Sequence, residues 1–299
     1  MTGHFFHRWM GLFPQLFLLA GLLLLETPAI AGSDTILIIK SSDNVFFNTS
    51  IEQLINQTHQ KVKFHIMALE SFKKDNSLLS DANLIITLGI DSVNYIQQSS
   101  ISIPVIHSYI TEFQYKNHKL REKQYSILLD QPLQRYLKFI KLLLGKEKIA
   151  IIRNNNNKIS PRKIKSLSST LHIKLEQHLY QQGDNPVNIV RDLLQSNDIL
   201  LCLPDPEIYN RRSLKGILLT SYRQNKPLIS YSPAQVKSGA LAAIYSSPKN
   251  IGNQIAELVN EILQDKAFKP VSLYYAAEFE IKINNSVAKS LVFENNNGV

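Results

Sequence analysis

The chain is punctuated by short runs that are apolar at almost every position, at 35–39, 84–88, 148–153 and 198–203. Each is followed by a polar loop and then by a stretch with helical spacing. A strand apolar on both faces must be covered on both, which a parallel sheet flanked by helices provides. Runs at 62–67, 104–109, 173–180, 227–231 and 240–245 extend the alternation. The pattern restricts the chain to the α/β class with parallel sheets. It starts at residue 35 and starts afresh at 148, after a helix opened by Asp130, Gln131 and Pro132. Two similar α/β domains are expected, with a first crossing near 130.

Helix-start signals agree with this division. Asp91 or Ser92 can cap a helix after Gly89, and Ser160-Pro161, Asn185-Pro186 and Ser247-Pro248 each pair a cap with a first-position proline. Beyond Ser247, the residues Ile251, Ile255, Leu258, Val259, Ile262 and Leu263 recur with the spacing of one helical face. Segments 70–81 and 112–125 are poorly patterned. Phe279, Ile281 and Ile283 alternate as in a strand, 287–292 is a short apolar segment, and 293–299 is expected to be a flexible tail.

The N-terminus reads as an export signal. Arg8 precedes an apolar stretch over 12–25, and Ala29-Ile30-Ala31 forms an A-x-A cleavage site before Gly32. The stretch is broken by Pro14 and Gln15 and is short of the roughly 20 residues that span a bilayer. Residues 1–31 are expected to be removed. Cys202, the lone cysteine, lies in an apolar run, so the chain has no internal disulfide, and no cysteine stands at the cleavage site to carry a lipid. A soluble periplasmic protein is the expectation.

The formal net charge is +9, yet the basic residues fall in small scattered groups without interleaved aromatics. That is how solvated helix faces look, and it argues against nucleic acid as a partner. The histidines are dispersed, and no glycine-rich phosphate loop or nucleophile elbow occurs. His107 and Glu112 are the pair to weigh as metal ligands, against the commoner structural role of an isolated histidine. Neither catalysis nor a cofactor is expected.

Taken in order, Leu84-Ile85-Ile86-Thr87-Leu88-Gly89, Ile103-Pro104-Val105-Ile106, Lys148-Ile149-Ala150-Ile151-Ile152, Leu203-Pro204-Asp205, Lys226-Pro227-Leu228-Ile229-Ser230-Tyr231-Ser232, Gly239-Ala240-Leu241-Ala242, Ile251-Gly252 and Ile283-Asn284 form a recognisable set. It resembles the ABC-transporter substrate-binding family that includes tryptophan- and tyrosine-type binding proteins. The resemblance implies the type I periplasmic binding protein fold: two Rossmann-like lobes with parallel sheets, joined by a hinge that the chain crosses three times. Carried over, lobe one holds 32–130 and 240–265, and lobe two holds 131–239 and 266–292. The implied function is capture of a small, amino-acid-like ligand by a monomer that delivers it to an ABC permease in the inner membrane. A sensory subunit that reports to a membrane receptor or histidine kinase would use the same cleft. The chain departs from the family at Ile90-Asp91-Ser92-Val93, where small residues are usual, and at 107–112, where small residues usually lead into Asp-Pro. Ligand identity does not carry across those changes.

A zwitterionic ligand needs donors for its carboxylate, an acceptor for its ammonium, and apolar or aromatic walls. Ligands of open α/β sheets sit beyond the carboxyl ends of the strands. That position selects Ser41, Gly89, Asp91, Ser92, Ser108 and Tyr109 in the first half, and Asp205, Tyr209, Tyr231 and Ser232 in the second. The Gly89–Ser92 turn offers free helix N–H groups for a carboxylate. Asp91 would compete with an anion there and suits an amine or hydroxyl, or a plain cap. Asp205, held between two prolines, is the expected ammonium acceptor. The tyrosines are candidate stacking walls. Arg153 and Asn154 are read as part of an exposed turn.

Overall fold

Each of the strand-like runs between residues 35 and 245 contributes a strand to one of two six-stranded sheets. The structure, a computed structural model, describes residues 33–115, 121–154, 159–264 and 272–296. The expected leader at 1–31 and the last part of the expected tail, 297–299, lie outside the described residues, as does most of the asparagine-rich turn after Asn154.

The first half runs β1 (Asp34–Lys40), α1 (Val45–Gln57), β2 (Val62–Ala68), α2 (Leu69–Lys74), β3 (Leu84–Leu88), α3 (Ile90–Gln98), β4 (Val105–Ile110), α4 (Glu112–Tyr115) and β5 (Gln124–Leu128). The second runs α5 (Leu133–Leu144), β6 (Lys148–Asn154), α6 (Pro161–Leu171), β7 (Lys174–Tyr180), α7 (Pro186–Ser196), β8 (Ile199–Leu201), α8 (Leu214–Arg223), β9 (Leu228–Ser230), α9 (Pro233–Lys237) and β10 (Ala242–Tyr245). The chain then continues as α10 (Pro248–Leu263), β11 (Ser272–Tyr275), β12 (Glu280–Ile283) and α11 (Asn285–Asn296). The poorly patterned 70–81 therefore contains most of α2, followed by a 3-10 turn at Ser77–Leu79.

The first sheet has the order β11-β5-β4-β3-β1-β2, with every pairing parallel. The second has the order β12-β10-β9-β8-β6-β7, parallel except for β12, which runs antiparallel to β10. The alternation along each central strand feeds two cores. Ile36 and Ile38 pack with Phe47, Leu54 and the apolar face of α10. Leu37 and Ile39 pack on the other side with Leu69, Phe72 and Ile96 from α2 and α3. All four strand residues are fully buried, and each such side chain contributes about 1.5–3 kcal/mol of apolar burial.

Two lobe boundaries differ from expectation. β10 pairs with β9 and β12, which puts 242–245 in the second lobe, and β11 pairs with β5, which puts 272–275 in the first. A short strand buried on both faces satisfies either sheet by pattern; its ladder partner decides. The crossings fall after β5, between β10 and α10, and between β11 and β12. The expected flexible tail is also shorter, because α11 continues to Asn296.

Side chains tie the crossings together. Gln131 Nε2 donates to Ser246 Oγ at 2.9 Å. The Arg135 guanidinium donates to Gln131, to the Ala276 carbonyl at 3.0 Å and to the Ala277 carbonyl at 3.2 Å. It also lies 4.2 Å from the centre of the Phe279 ring.

Candidate ligand-binding cleft

The loops beyond the carboxyl ends of the first sheet are held by a short polar chain. Gly89 adopts φ +94°, and a Cβ there would stand 2.8 Å from Ser41 Oγ and 3.1 Å from the Phe47 ring. That close approach lets Ser41 Oγ accept from the Ser92 amide at 2.9 Å and donate to Ser92 Oγ at 3.1 Å. Ser92 Oγ in turn donates to the Gly89 carbonyl at 2.9 Å. Ser41, Gly89 and Ser92 thus come together as expected by position, but they satisfy one another. Ser92 is fully buried, so its hydroxyl serves the turn. Asp91 is the exposed member of the group.

Ser108 is buried, with its carbonyl accepting from Gly89 N at 2.9 Å and its hydroxyl donating to the Ile127 carbonyl at 3.3 Å. Tyr109 turns away from these groups. Its backbone is left-handed at φ 59°, its hydroxyl donates to the Phe46 carbonyl at 3.0 Å and meets Ser50 Oγ at 2.5 Å, and its ring stands edge-on to Phe47. Burial pushes its pKa to about 12. The side chain braces α1 at the base of the loop and does not form a free wall.

In the second lobe, Asp205, Tyr209 and Tyr231 gather around Cys202. Asp205 is 1% exposed; its Oδ1 accepts from Glu207 N at 3.0 Å, closing a tight turn, and its Oδ2 has no hydrogen-bond partner among the described residues. Burial raises its pKa against the opposing effect of nearby amides. Tyr209 is buried against Cys202, whose thiol pKa is also raised by burial, and Tyr231 is pushed to about 12 by the same cause. Ser232 Oγ accepts from Ala234 N at 3.2 Å and caps α9. Asn154, expected in an exposed turn, is buried and donates to Glu207 Oε2 at 3.2 Å, joining the loops after β6 and β8.

Loops from both sheets open onto one cavity of about 190 Å³. Glu112, Asp130 and Tyr275 line it from the first lobe, and Ile159, Ser160, Lys163, Leu203 and Pro204 from the second. The Tyr275 hydroxyl donates to Glu112 Oε2 at 2.9 Å, and Glu112 N donates to Asp130 Oδ2 at 2.6 Å. Asp205 follows the lining residue Pro204 in the chain. None of the ten residues expected from the sequence lines this cavity; Glu112, Asp130 and Tyr275 come from the ends of β4, β5 and β11, and Leu203 and Pro204 from the end of β8 just before Asp205. Val45 and Phe46 are 68% and 60% exposed at the start of α1. Larger grooves of about 610 and 540 Å³ lie elsewhere, on the second lobe and its crossings.

Metal ligation by His107 and Glu112 does not fit the geometry. The His107 ring is buried between Thr87, 2.7 Å from its Nδ1, and Gln97, while Glu112 is engaged by Tyr275. Among the described residues no group of three potential metal ligands occurs.

Two α/β lobes, crossed repeatedly by the chain and meeting at a cavity beyond the carboxyl ends of their sheets, define the type I periplasmic binding protein fold. A family profile described as ABC transporter substrate binding protein matches residues 74–299, and the chain belongs to that family. A substrate-binding protein with adhesive properties from Clostridium difficile, in its ligand-free, open structure, has a TM-score of 0.67 and 14% identity over 87% of this chain and 95% of its own. The ABC domain from Streptococcus pneumonia in complex with L-Trp reaches 0.54 and 14% over 87% and 95%. A periplasmic ribose ABC transporter from Conexibacter woesei reaches 0.53 and 9% over 88% and 95%. At these identities the likeness is one of fold. No curated protein sequence matches the chain. The family and these relatives are binding proteins, not enzymes, and among the described residues no helix is long and apolar enough to cross a membrane.

Proposed function

We propose that the exported chain is a periplasmic solute-binding protein that closes its lobes on a small, amino-acid-like ligand and passes it to an ABC permease. The observation that carries this reading is the cavity with Glu112, Asp130 and Tyr275 on one side and Ser160, Lys163, Leu203 and Pro204 on the other. Hinge closure selects the bound state when a ligand touches both lobes, and these residues supply both. The Ala29-Ile30-Ala31 leader pattern supports export.

An ammonium group is the chemistry that the carboxylates favour. Asp205 Oδ2 is a buried acceptor without a partner among the described residues, and leaving such an oxygen unpaired costs about 1–3 kcal/mol that a cationic donor recovers. Lys163 at the opposite wall suits a carboxylate, and Leu203 and Pro204 supply an apolar face. Thermal-shift screening of amino acids and related cations tests the reading, followed by calorimetry on the best compound. A stabilising compound whose affinity falls in Lys163→Ala supports it. A folded protein indifferent to the whole panel counts against it.

A further inference from the structure

The second sheet ends on a strand with a free edge among the described residues. β12 pairs with β10 on its inner side, and among the described residues no strand pairs with its outer side. An open strand edge is a template for another strand, and proteins ordinarily blunt it with charge or cover it. Here Phe279, Ile281 and Ile283 are 43%, 42% and 51% exposed, and Leu142 of α5 is 78% exposed on the same face of the sheet. Phe279 and Ile281 line the groove of about 540 Å³ that continues onto α5.

The charges on this edge are self-complementary. Glu280 and Lys282 flank Ile281 and point to the opposite face from it, where Glu280 accepts from the Tyr245 hydroxyl. If a second β12 is laid antiparallel with Ile281 on the two-fold axis, Glu280 of each copy falls opposite Lys282 of the other. Phe279 then falls opposite Ile283. One register therefore aligns both opposite-charge pairs and the whole apolar row, and a one-residue slip breaks both. Lys282 has no partner among the described residues, so the lysine that would blunt the edge against other strands matches a second copy of this one.

We propose that β12 is the interface of a two-fold symmetric homodimer, in which the two second sheets join edge to edge and the apolar grooves beside α5 come together. This proposal departs from the expectation of a monomer. The interface is isologous and closes on itself, so it forms dimers without fibres.

Sedimentation velocity of the purified protein across the micromolar range tests the proposal. A monomer–dimer equilibrium is expected. Lys282→Glu and Glu280→Lys should each weaken the dimer by about ten-fold or more, because two symmetric pairs become repulsive together. The double exchange, Glu280→Lys with Lys282→Glu, should restore it. These side chains are exposed, and circular dichroism verifies that each variant folds. A wild-type protein that stays monomeric overturns the proposal, as does a dimer that ignores all three variants or a particle that keeps growing with concentration.

Discussion

Ser41 Oγ accepts the Ser92 amide hydrogen at 2.9 Å, so the loop after β1 satisfies a backbone donor in the first turn of α3. No side chain at the helix cap does this, because the cap is Gly89. Ser41→Ala should therefore cost about 1 kcal/mol of stability, as loss of a capping side chain does. Urea denaturation measures it. Ser92→Ala should lower stability too and leave ligand affinity nearly unchanged, since its hydroxyl is turned inward to the Gly89 carbonyl.

Asp205 links stability and binding in opposite directions. Burial raises its native pKa, while an unfolded-chain aspartate ionises near 3.9. The native state thus holds the proton more tightly than the unfolded chain. This group contributes its destabilising effect fully above the raised native pKa, and the effect fades as pH falls from there toward the unfolded value. Asp205→Asn keeps an oxygen for Glu207 N and removes the buried charge. It should raise stability at neutral pH by about 1 kcal/mol, with the difference from wild type shrinking near pH 4. Ligand affinity should fall in the same variant. Melting curves with and without ligand at several pH values separate the two effects.

Gly252 sits where α10 crosses α1. An added Cβ would lie 2.5 Å from the Ser50 carbonyl oxygen and 2.8 Å from Gln53 Cβ. Alanine gains about 1 kcal/mol of helix propensity over glycine, but the contact is with backbone and cannot be relieved by rotating a side chain. Overpacking costs about 1–3 kcal/mol, so Gly252→Ala should be neutral to clearly destabilising in guanidinium unfolding, and not the stabilising change that an exposed helical glycine would give.

The fold was legible because its evidence is local: runs such as 35–39 and 84–88 and the stripe from Ile251 to Leu263 state their own periodicity. Sheet membership was not. The run 240–245 is apolar throughout, and only its ladder to β9 and β12 assigns it to the second lobe. The surroundings of the candidate site residues were not legible for a related reason. Ser92 lies in the first turn of the helix after β3 and Tyr109 near the end of β4, but whether a hydroxyl there faces solvent depends on partners such as Ser41 and Ser50, from segments distant in sequence. Glu112, Asp130 and Tyr275 meet only because β4, β5 and β11 are neighbours in the sheet.

Arg135 is the group whose removal should loosen the hinge. Its guanidinium spans the carbonyls of Ala276 and Ala277, reaches Gln131 and lies against Phe279, so one side chain holds two of the three crossings. Charged hydrogen bonds of this kind contribute about 1.5–3 kcal/mol each before solvent weakens them. Arg135 is partly exposed, and a net loss of about 1–2 kcal/mol is the expectation for Arg135→Ala. Lysine keeps the charge but lacks the planar fork that meets several acceptors at once, so Arg135→Lys should recover little. Small-angle scattering of the ligand-free protein should show a broader distribution of lobe separations in both variants. An unchanged distribution together with an unchanged melting temperature would remove Arg135 from the hinge.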